Sequence, residues 1–167
     1  MRISPGEMGR RAAGARTWHH AAVRRFNLHS PEFDGASDRD RVRSRIAGVA
    51  RALGAEQIGG RVYELEDGQH GNPYHLHHAI EEWVIVVSGT PLLRTPDGER
   101  TLRPGDVVCF PPGPAGAHRV TGPGSVLLLS DRRSPDVLEF PDSGTVLATP
   151  PGKLFRSTDA VELWDVE

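Results

Sequence analysis

The fold is decided by the stretch HLHHAIEEWVIVVSG at residues 75–89. Alternate side chains of a strand point to the same face, so His75 and His77 project together while His78 faces away. The Cα atoms of the pair would lie about 6.5 Å apart, a gap that two tilted imidazoles can span to meet one ion at about 2.0–2.2 Å. We expect a short turn and the next antiparallel strand to bring Glu82 beside this pair.

A second group of residues follows much later in the chain. His118 comes 36 residues after Glu82, and Gly105, Pro111 and Gly113 precede it. Because His118 has to arrive from a more distant strand, the Gly- and Pro-containing segment before it is read as a tight turn. The sequence therefore predicts that His118 joins the earlier group from the far side of a hairpin.

Together these residues resemble the two motifs of the cupin superfamily. The first motif is Gly, five residues, His-x-His, three or four residues, Glu, six residues and Gly; this chain matches it from the His pair to Gly89, with Gln69 where the leading Gly is expected. The second is Gly, five residues, Pro-x-Gly, two residues, His, three residues and Asn. Here four residues precede His118, and Gly122 stands in place of Asn. The resemblance covers about residues 57–131, and the two motifs are specific only in combination.

The resemblance implies an all-β fold, a cupin jelly-roll barrel or double-stranded β-helix. It also implies one divalent transition metal ion per chain, held by His75, His77, Glu82 and His118. Three imidazoles and one carboxylate suit Fe, Mn, Ni, Co, Cu or Zn, and no thiolate narrows the choice. Glu82 is in addition a possible base.

Aromatic residues near the motifs are candidates for the substrate pocket. Tyr63 lies on the strand before the His pair, and Phe110 leads into Pro111. Either could line a pocket, although a plain core residue explains each of them as well. By alternation Trp83 faces away from Glu82, and we expect it in the core of the opposite layer.

These features lead to a functional hypothesis with two rivals. We expect a metal-dependent enzyme acting on a small polar or anionic molecule, either by dioxygenase-like cleavage or by isomerisation or elimination next to a carbonyl. The first rival is a non-catalytic, sensory protein of the same fold that binds a metal or metabolite. The second, a metal-free epimerase-like protein, is disfavoured because all four ligand positions are intact. One fold hosts many chemistries, so the fold does not decide among them.

The sequence pattern divides the whole chain into four parts. Residues 1–36 show no periodicity and are predicted to form a flexible arm. Residues 37–54 are predicted to form a helix packed on the barrel, with Ser37 as N-cap and an apolar stripe at three- and four-residue spacing. The barrel is expected at residues 55–132, and a C-terminal extension at residues 133–167 is expected to wrap it.

Composition limits the partners. The formal net charge is −2, which favours neither nucleic acid nor acidic membranes as a partner. The single cysteine, Cys109, excludes an intrachain disulfide. No apolar run reaches the length of a membrane span, and we expect a cytoplasmic homodimer that binds a small molecule.

Overall fold

Short strands separated by turns make up most of the chain. The structure is a computed structural model that describes residues 22–39 and 42–165. The strands of this part, in chain order, are β1 (Gly35–Arg39), β2 (Val42–Ala47), β3 (Ile58–Leu65), β4 (Leu76–His77), β5 (Glu82–Gly89), β6 (Leu92–Thr95), β7 (Gly98–Thr101), β8 (Val107–Phe110), β9 (Arg119–Thr121), β10 (Gly124–Asp131), β11 (Asp136–Phe140), β12 (Thr145–Thr149) and β13 (Lys153–Arg156). One short α-helix, α1, spans Val49–Leu53, and 3-10 turns span Pro114–Gly116, Ser157–Asp159 and Leu163–Asp165.

The strands form three sheets that together build a jelly-roll barrel. The largest sheet has six strands in the order β1-β2-β3-β10-β5-β8. A second sheet has the order β13-β12-β11-β4, and a third has the order β7-β6-β9. Neighbouring strands pair antiparallel throughout these sheets. The predicted all-β jelly-roll barrel is confirmed.

The barrel interior is filled mainly by alternate side chains of the largest sheet, together with Leu93 of β6 and Leu102, which follows β7. The apolar cluster inside the barrel consists of eight buried residues: Tyr63, Leu65, Val84, Val86, Leu93, Leu102, Phe110 and Val126. A second cluster, around Val62 and Leu127, lies on the outer face of the same sheet. Because strands expose successive side chains to opposite faces, the two clusters use alternate residues of the same strands.

Pro96, Asp97 and Gly98 lie at the turn of the β6–β7 hairpin. Leu92–Thr95 pairs with Gly98–Thr101, and Thr95 lies opposite Gly98. Gly98 has φ +118°, a backbone angle that side chains with a Cβ rarely adopt. This glycine therefore allows the chain to reverse direction between β6 and β7.

The helix predicted over residues 37–54 is wrong for most of its length. Residues 35–39 and 42–47 instead form the β1–β2 hairpin, and only Val49–Leu53 is helical. Ser37, the expected N-cap, lies opposite Ser44 in this hairpin. The segment Val42–Ala47 also pairs with β3, so inter-strand hydrogen bonds that sequence periodicity does not reveal decide its conformation.

The predicted flexible arm lies partly outside the described residues, which begin at residue 22. From there on the structure differs from the prediction, because Phe26, Leu28 and Phe33 pack against the outer apolar cluster. Residues 26–33 thus cover part of the outer face of the largest sheet.

Residues 136–156 of the C-terminal segment join the barrel as three strands. Its β11 pairs with β4, the strand that carries the His pair, and β12 and β13 extend the same sheet. The predicted extension therefore completes one wall of the barrel.

Trp83 faces away from Glu82 as expected, but it is 42% exposed, so its prediction as a core residue is wrong. The outer cluster does not extend over this end of β5.

Among the described residues, no helix is both long and apolar enough to span a membrane.

Candidate metal centre

The histidines come together through strand pairing. His75 and His118 form an antiparallel bridge, with His75 N–H donating to the His118 carbonyl at 3.1 Å and His118 N–H donating back at 2.8 Å. His77 lies two residues further along, opposite Leu138 of β11. The three imidazoles are thereby carried by adjacent backbone segments on one side of the barrel.

Glu82 approaches the histidines from a different sheet than expected. Its strand, β5, belongs to the six-stranded sheet, whereas β4 belongs to the four-stranded one. The carboxylate therefore reaches the imidazoles across the barrel interior, not from a neighbouring strand. Its Oε2 atom lies 3.4 Å from the Nε2 atom of each of His75, His77 and His118.

Each imidazole is held by a hydrogen bond from its other ring nitrogen. Nδ1 of His75 lies 2.8 Å from the Pro73 carbonyl oxygen, and Nδ1 of His118 lies 2.9 Å from the Gly116 carbonyl oxygen. A carbonyl oxygen can only accept, so these two Nδ1 atoms carry the proton and donate it. In the neutral ring, Nε2 then presents a lone pair to the shared centre.

A carboxylate holds the third imidazole. Asp136 Oδ2 lies 2.6 Å from Nδ1 of His77, and Asp136 Oδ1 accepts the backbone N–H of Ala79 at 2.9 Å. The Asp136 side chain is 1% exposed. Asp136 therefore orients His77 as it would orient a metal ligand.

The sequence did not reveal Asp136. It lies 59 residues after His77 in the chain, within a Pro-containing segment without a strand pattern. No local signal identifies it, because its contact with His77 depends on the pairing of β11 with β4.

The donor set fits a transition metal ion. His75, His77 and Glu82 offer ligand atoms within 4.8 Å of one another. Two atoms that are each about 2.1 Å from one ion lie about 3.0–3.4 Å apart, depending on coordination geometry, and the observed 3.4 Å separations fall at this limit. Glu82 Oε2 and His118 Nε2 are buried and make no hydrogen bond. Buried acceptors that face one another without a donor are costly unless a cation lies between them.

The electrostatics of the cluster favour an ionised carboxylate. Burial raises the pKa of Glu82, but the imidazoles of His118, His75 and His77 outweigh this effect and hold it far below its ordinary value. Burial lowers the pKa of His77, whereas Glu82 and Asp136 raise it, with a net rise. The cluster therefore attracts positive charge, and a divalent ion would compete with the proton on His77.

The two aromatic candidates differ in position. Phe110 is buried and stacks on the His118 ring, with centroids 3.7 Å apart and ring planes at 4°. Phe110 does not line the large cavity next to the cluster or the small cavity inside the barrel, and its place in a substrate pocket stays a prediction. Tyr63, also buried, lines both of these cavities. His78 points away as expected and pairs with Glu139 at 2.8 Å.

The segment before His118 explains the two extra residues in the second motif. Residues 114–116 form a 3-10 turn, and the N–H of Gly113 donates to the His77 carbonyl at 2.7 Å. A Cβ at Gly116 would lie 1.9 Å from the Pro111 carbonyl oxygen, so only glycine fits there. This turn places the Gly116 carbonyl where it accepts from His118.

A large cavity connects the cluster with the surface. It has a volume of about 1090 Å³ and lies between the six-stranded and four-stranded sheets. His75, His77 and Glu82 line it together with Tyr63 and Asp136. A small molecule in this cavity can therefore contact the candidate metal ligands.

The central part of the chain matches a known protein family. The family model for the cupin domain matches residues 61–130, which contain all four candidate ligands. No curated protein sequence matches the chain.

Several solved structures resemble the fold over most of this chain. A proposed sugar phosphate isomerase from Acidithiobacillus ferrooxidans is 29% identical with a TM-score of 0.67, over 73% of this chain and 81% of that one. A cupin-superfamily sugar phosphate isomerase from Silicibacter pomeroyi is 24% identical with a TM-score of 0.69, over 84% and 98% of the two chains. A polyketide cyclase from Streptomyces resistomycificus is 21% identical with a TM-score of 0.51, over 69% and 84%.

Proposed function

We propose that this chain, since it contains a cupin domain at residues 61–130, is a metal-dependent enzyme that acts on a small polar or anionic molecule. One divalent transition metal ion is held by His75, His77, Glu82 and His118. The substrate binds through its oxygen atoms in the cavity beside these ligands. Asp136 orients His77, and Tyr63 forms part of the cavity wall.

One observation carries the metal assignment. Two imidazoles donate from Nδ1 to backbone carbonyls and a third bonds to Asp136, so three Nε2 atoms face one carboxylate oxygen. All four of these atoms are acceptors when the rings are neutral. A divalent cation satisfies them together, whereas water or a single proton does not.

The charge and the coordination number limit what can bind next. Three neutral imidazoles and one carboxylate leave a divalent ion with a net charge near +1, and an octahedral ion would keep about two positions open. Such an ion supplies Lewis acidity, which polarises a carbonyl or activates water. The residues that line the cavity hold the substrate between the six-stranded and the four-stranded sheet. The closed interior of the barrel keeps bulk water away from the inner side of the metal site.

The similarity to a proposed sugar phosphate isomerase bears on the type of reaction. That protein is 29% identical to this chain and aligned over 81% of its own length. The similarity favours isomerisation or elimination next to a carbonyl over dioxygenase-like cleavage. The homodimer and the cytoplasmic location expected from the sequence stay predictions.

The metal assignment is tested by elemental analysis of protein purified without chelator. We expect about one metal ion per chain for the wild type. His77→Ala should lose the ion and remain folded, and the adjacent His78→Ala is the matched control, because His78 points away and pairs with Glu139. Equal metal content in His77→Ala and wild type would contradict the assignment.

Catalysis is tested separately from metal binding. Fe, Mn, Ni and Zn forms are incubated with a panel of sugar phosphates and hydroxy or keto acids, and substrate consumption and oxygen uptake are recorded. Turnover that His77→Ala abolishes and His78→Ala retains supports an enzyme. Metal binding with tight ligand binding but without turnover would support the sensory alternative.

A further inference from the structure

Arg61 lies on the same inner surface as the candidate metal ligands. In β3 it alternates with Val62 and shares its face with Tyr63 and Leu65, both of which belong to the interior cluster. Arg61 is paired in register with Leu128 of β10, which packs against that cluster. Arg61 itself is exposed, so its guanidinium lies at the open side of this inner surface and not within the apolar core.

The same cavity contains Arg61 and the candidate metal site. Arg61 lines the cavity of about 1090 Å³ together with His75, His77 and Glu82. β10 separates β3 from β5, so Arg61 is two strand spacings, about 10 Å, from the strand of Glu82. A molecule of a few carbon atoms can span the distance between the guanidinium and an ion at the ligands.

The charges that line this cavity are unevenly paired. Arg51 forms an ion pair with Asp34, and Arg133 forms one with Asp131. Arg61, like Arg132, makes no ion pair or side-chain hydrogen bond with any residue in the described part of the chain.

The acidic side chains of the cavity are, by contrast, all engaged. Asp34 and Asp131 are in the two ion pairs, Asp136 accepts from His77 and Ala79, and Glu82 faces the imidazoles. The cavity therefore holds unpaired positive charge and no unpaired negative charge among these groups. A guanidinium in this situation binds carboxylate or phosphate with two parallel hydrogen bonds.

We propose that Arg61 is the anion-binding residue of the substrate site: it binds a carboxylate or phosphate group of a small molecule whose oxygen atoms reach the metal ion. Arg132 adds a weaker contribution from the end of β10. The proposal rests on the proposed function for the metal end of the substrate and narrows the substrate class to small anions.

The test measures binding by calorimetry, in both metal-loaded and metal-free protein. The probes are glycerol 3-phosphate, glycerate and glycerol, which share a three-carbon skeleton and differ in the anionic group. The variants are Arg61→Gln and Arg61→Lys, with Arg100→Gln as the matched control. Arg100 is exposed on β7, has no ion pair with a described residue and does not line the cavity.

We expect Arg61→Gln to weaken binding of one or both anions about tenfold or more without changing the metal content. Arg61→Lys should recover part of the affinity, Arg100→Gln should bind as the wild type does, and glycerol binding should not depend on Arg61. The anion that shows the larger dependence identifies the group, carboxylate or phosphate.

Equal affinities of wild type and Arg61→Gln for both anions, or no binding of either anion by metal-loaded wild type, would overturn the proposal. Failure of the metal assignment is distinguishable, because the wild type would then hold no ion. In that case the metal-free titrations still test Arg61, since its guanidinium is present without the ion.

Discussion

The barrel interior contains two clusters that are built on opposite principles. The apolar cluster around Leu93 and Val84 consists mainly of hydrocarbon side chains that need no hydrogen-bond partner, and both of these residues are fully buried. The polar cluster at His75, His118 and Glu82 is equally buried but consists of acceptors that need a cation. The comparison indicates that the first cluster stabilises the fold, whereas the second, under the proposed function, binds the metal ion.

The two clusters share the strand β5 but use different side chains of it. Each cluster can therefore be tested by substitutions that leave the other one intact. Glu82 begins β5, and Val84 and Val86 of the same strand enter the apolar cluster. A substitution in one cluster should therefore change one property, either the free energy of unfolding or the metal affinity, while the other stays nearly constant.

The largest effect on stability is expected at Leu93, which is 0% exposed. Leu93→Ala should lower the free energy of unfolding by about 2–5 kcal/mol, because it removes buried methyl groups and leaves a cavity. Denaturant unfolding of the metal-free protein measures this loss. Leu154→Ala, at a residue that is 61% exposed, is the control and should change stability by less than about 0.5 kcal/mol.

The metal affinity should fall most when the carboxylate is replaced. Glu82→Gln should weaken metal binding about a hundredfold or more, since the charged ligand is lost. The free energy of unfolding of the metal-free protein should change by less than about 1 kcal/mol, because the amide N–H can donate to an imidazole Nε2 that the carboxylate leaves without a donor. Competition with a chelator gives the affinity. If Glu82→Gln bound the metal as tightly as the wild type does, the polar cluster would not be the metal site and the comparison of the two clusters would fail.

Asp136 should have an intermediate effect. Asp136→Asn leaves one carbonyl oxygen where the carboxylate accepts from both His77 and Ala79, so one of the two hydrogen bonds is lost. We expect the metal affinity to fall about 10–100-fold. Glu139→Gln, which touches the outward-facing His78, should leave the affinity unchanged.

The smallest effect on stability is expected at an exposed ion pair, which lies outside both clusters. Arg94 donates to both oxygens of Asp142, at 2.7 and 2.9 Å, and this contact lowers the pKa of Asp142. Because the carboxyl is 47% exposed, Asp142→Asn should cost less than about 1 kcal/mol at neutral pH.

The pH dependence of this pair follows from the direction of the shift. A carboxyl with a lowered pKa in the folded state contributes stability above its ordinary value of 3.8, and this contribution is lost as the pH falls through the folded-state pKa. The difference between wild type and Asp142→Asn should therefore shrink in urea unfolding below pH 3.8. A difference that stays constant in acid would show that the ion pair is not its cause.

Much of the site could be predicted because its signals are local. The His-x-His alternation places His75 and His77 on one face, and the Gly- and Pro-containing turn precedes His118 as the sequence indicates. The apolar run that forms β5 and the hairpin turn at Gly98 are also local features of the sequence. These features depend on residues within a few positions of one another.

The errors and omissions concern contacts between distant segments. Val42 and Ile46 satisfy a helical spacing, but the intervening Arg43 and Arg45 also satisfy the alternation of a strand, and pairing with β1 and β3 decides the outcome. Asp136 reaches His77 only because β11 pairs with β4. Arg61 gains its meaning from the cavity between two sheets, which no local pattern describes.

The central claim is tested most directly by X-ray absorption spectroscopy on protein purified without chelator. The account predicts one ion per chain, bound by three imidazole nitrogens and one carboxylate oxygen at about 2.0–2.2 Å. Chains that hold no stoichiometric ion, or an ion whose spectrum lacks imidazole scattering, would contradict it.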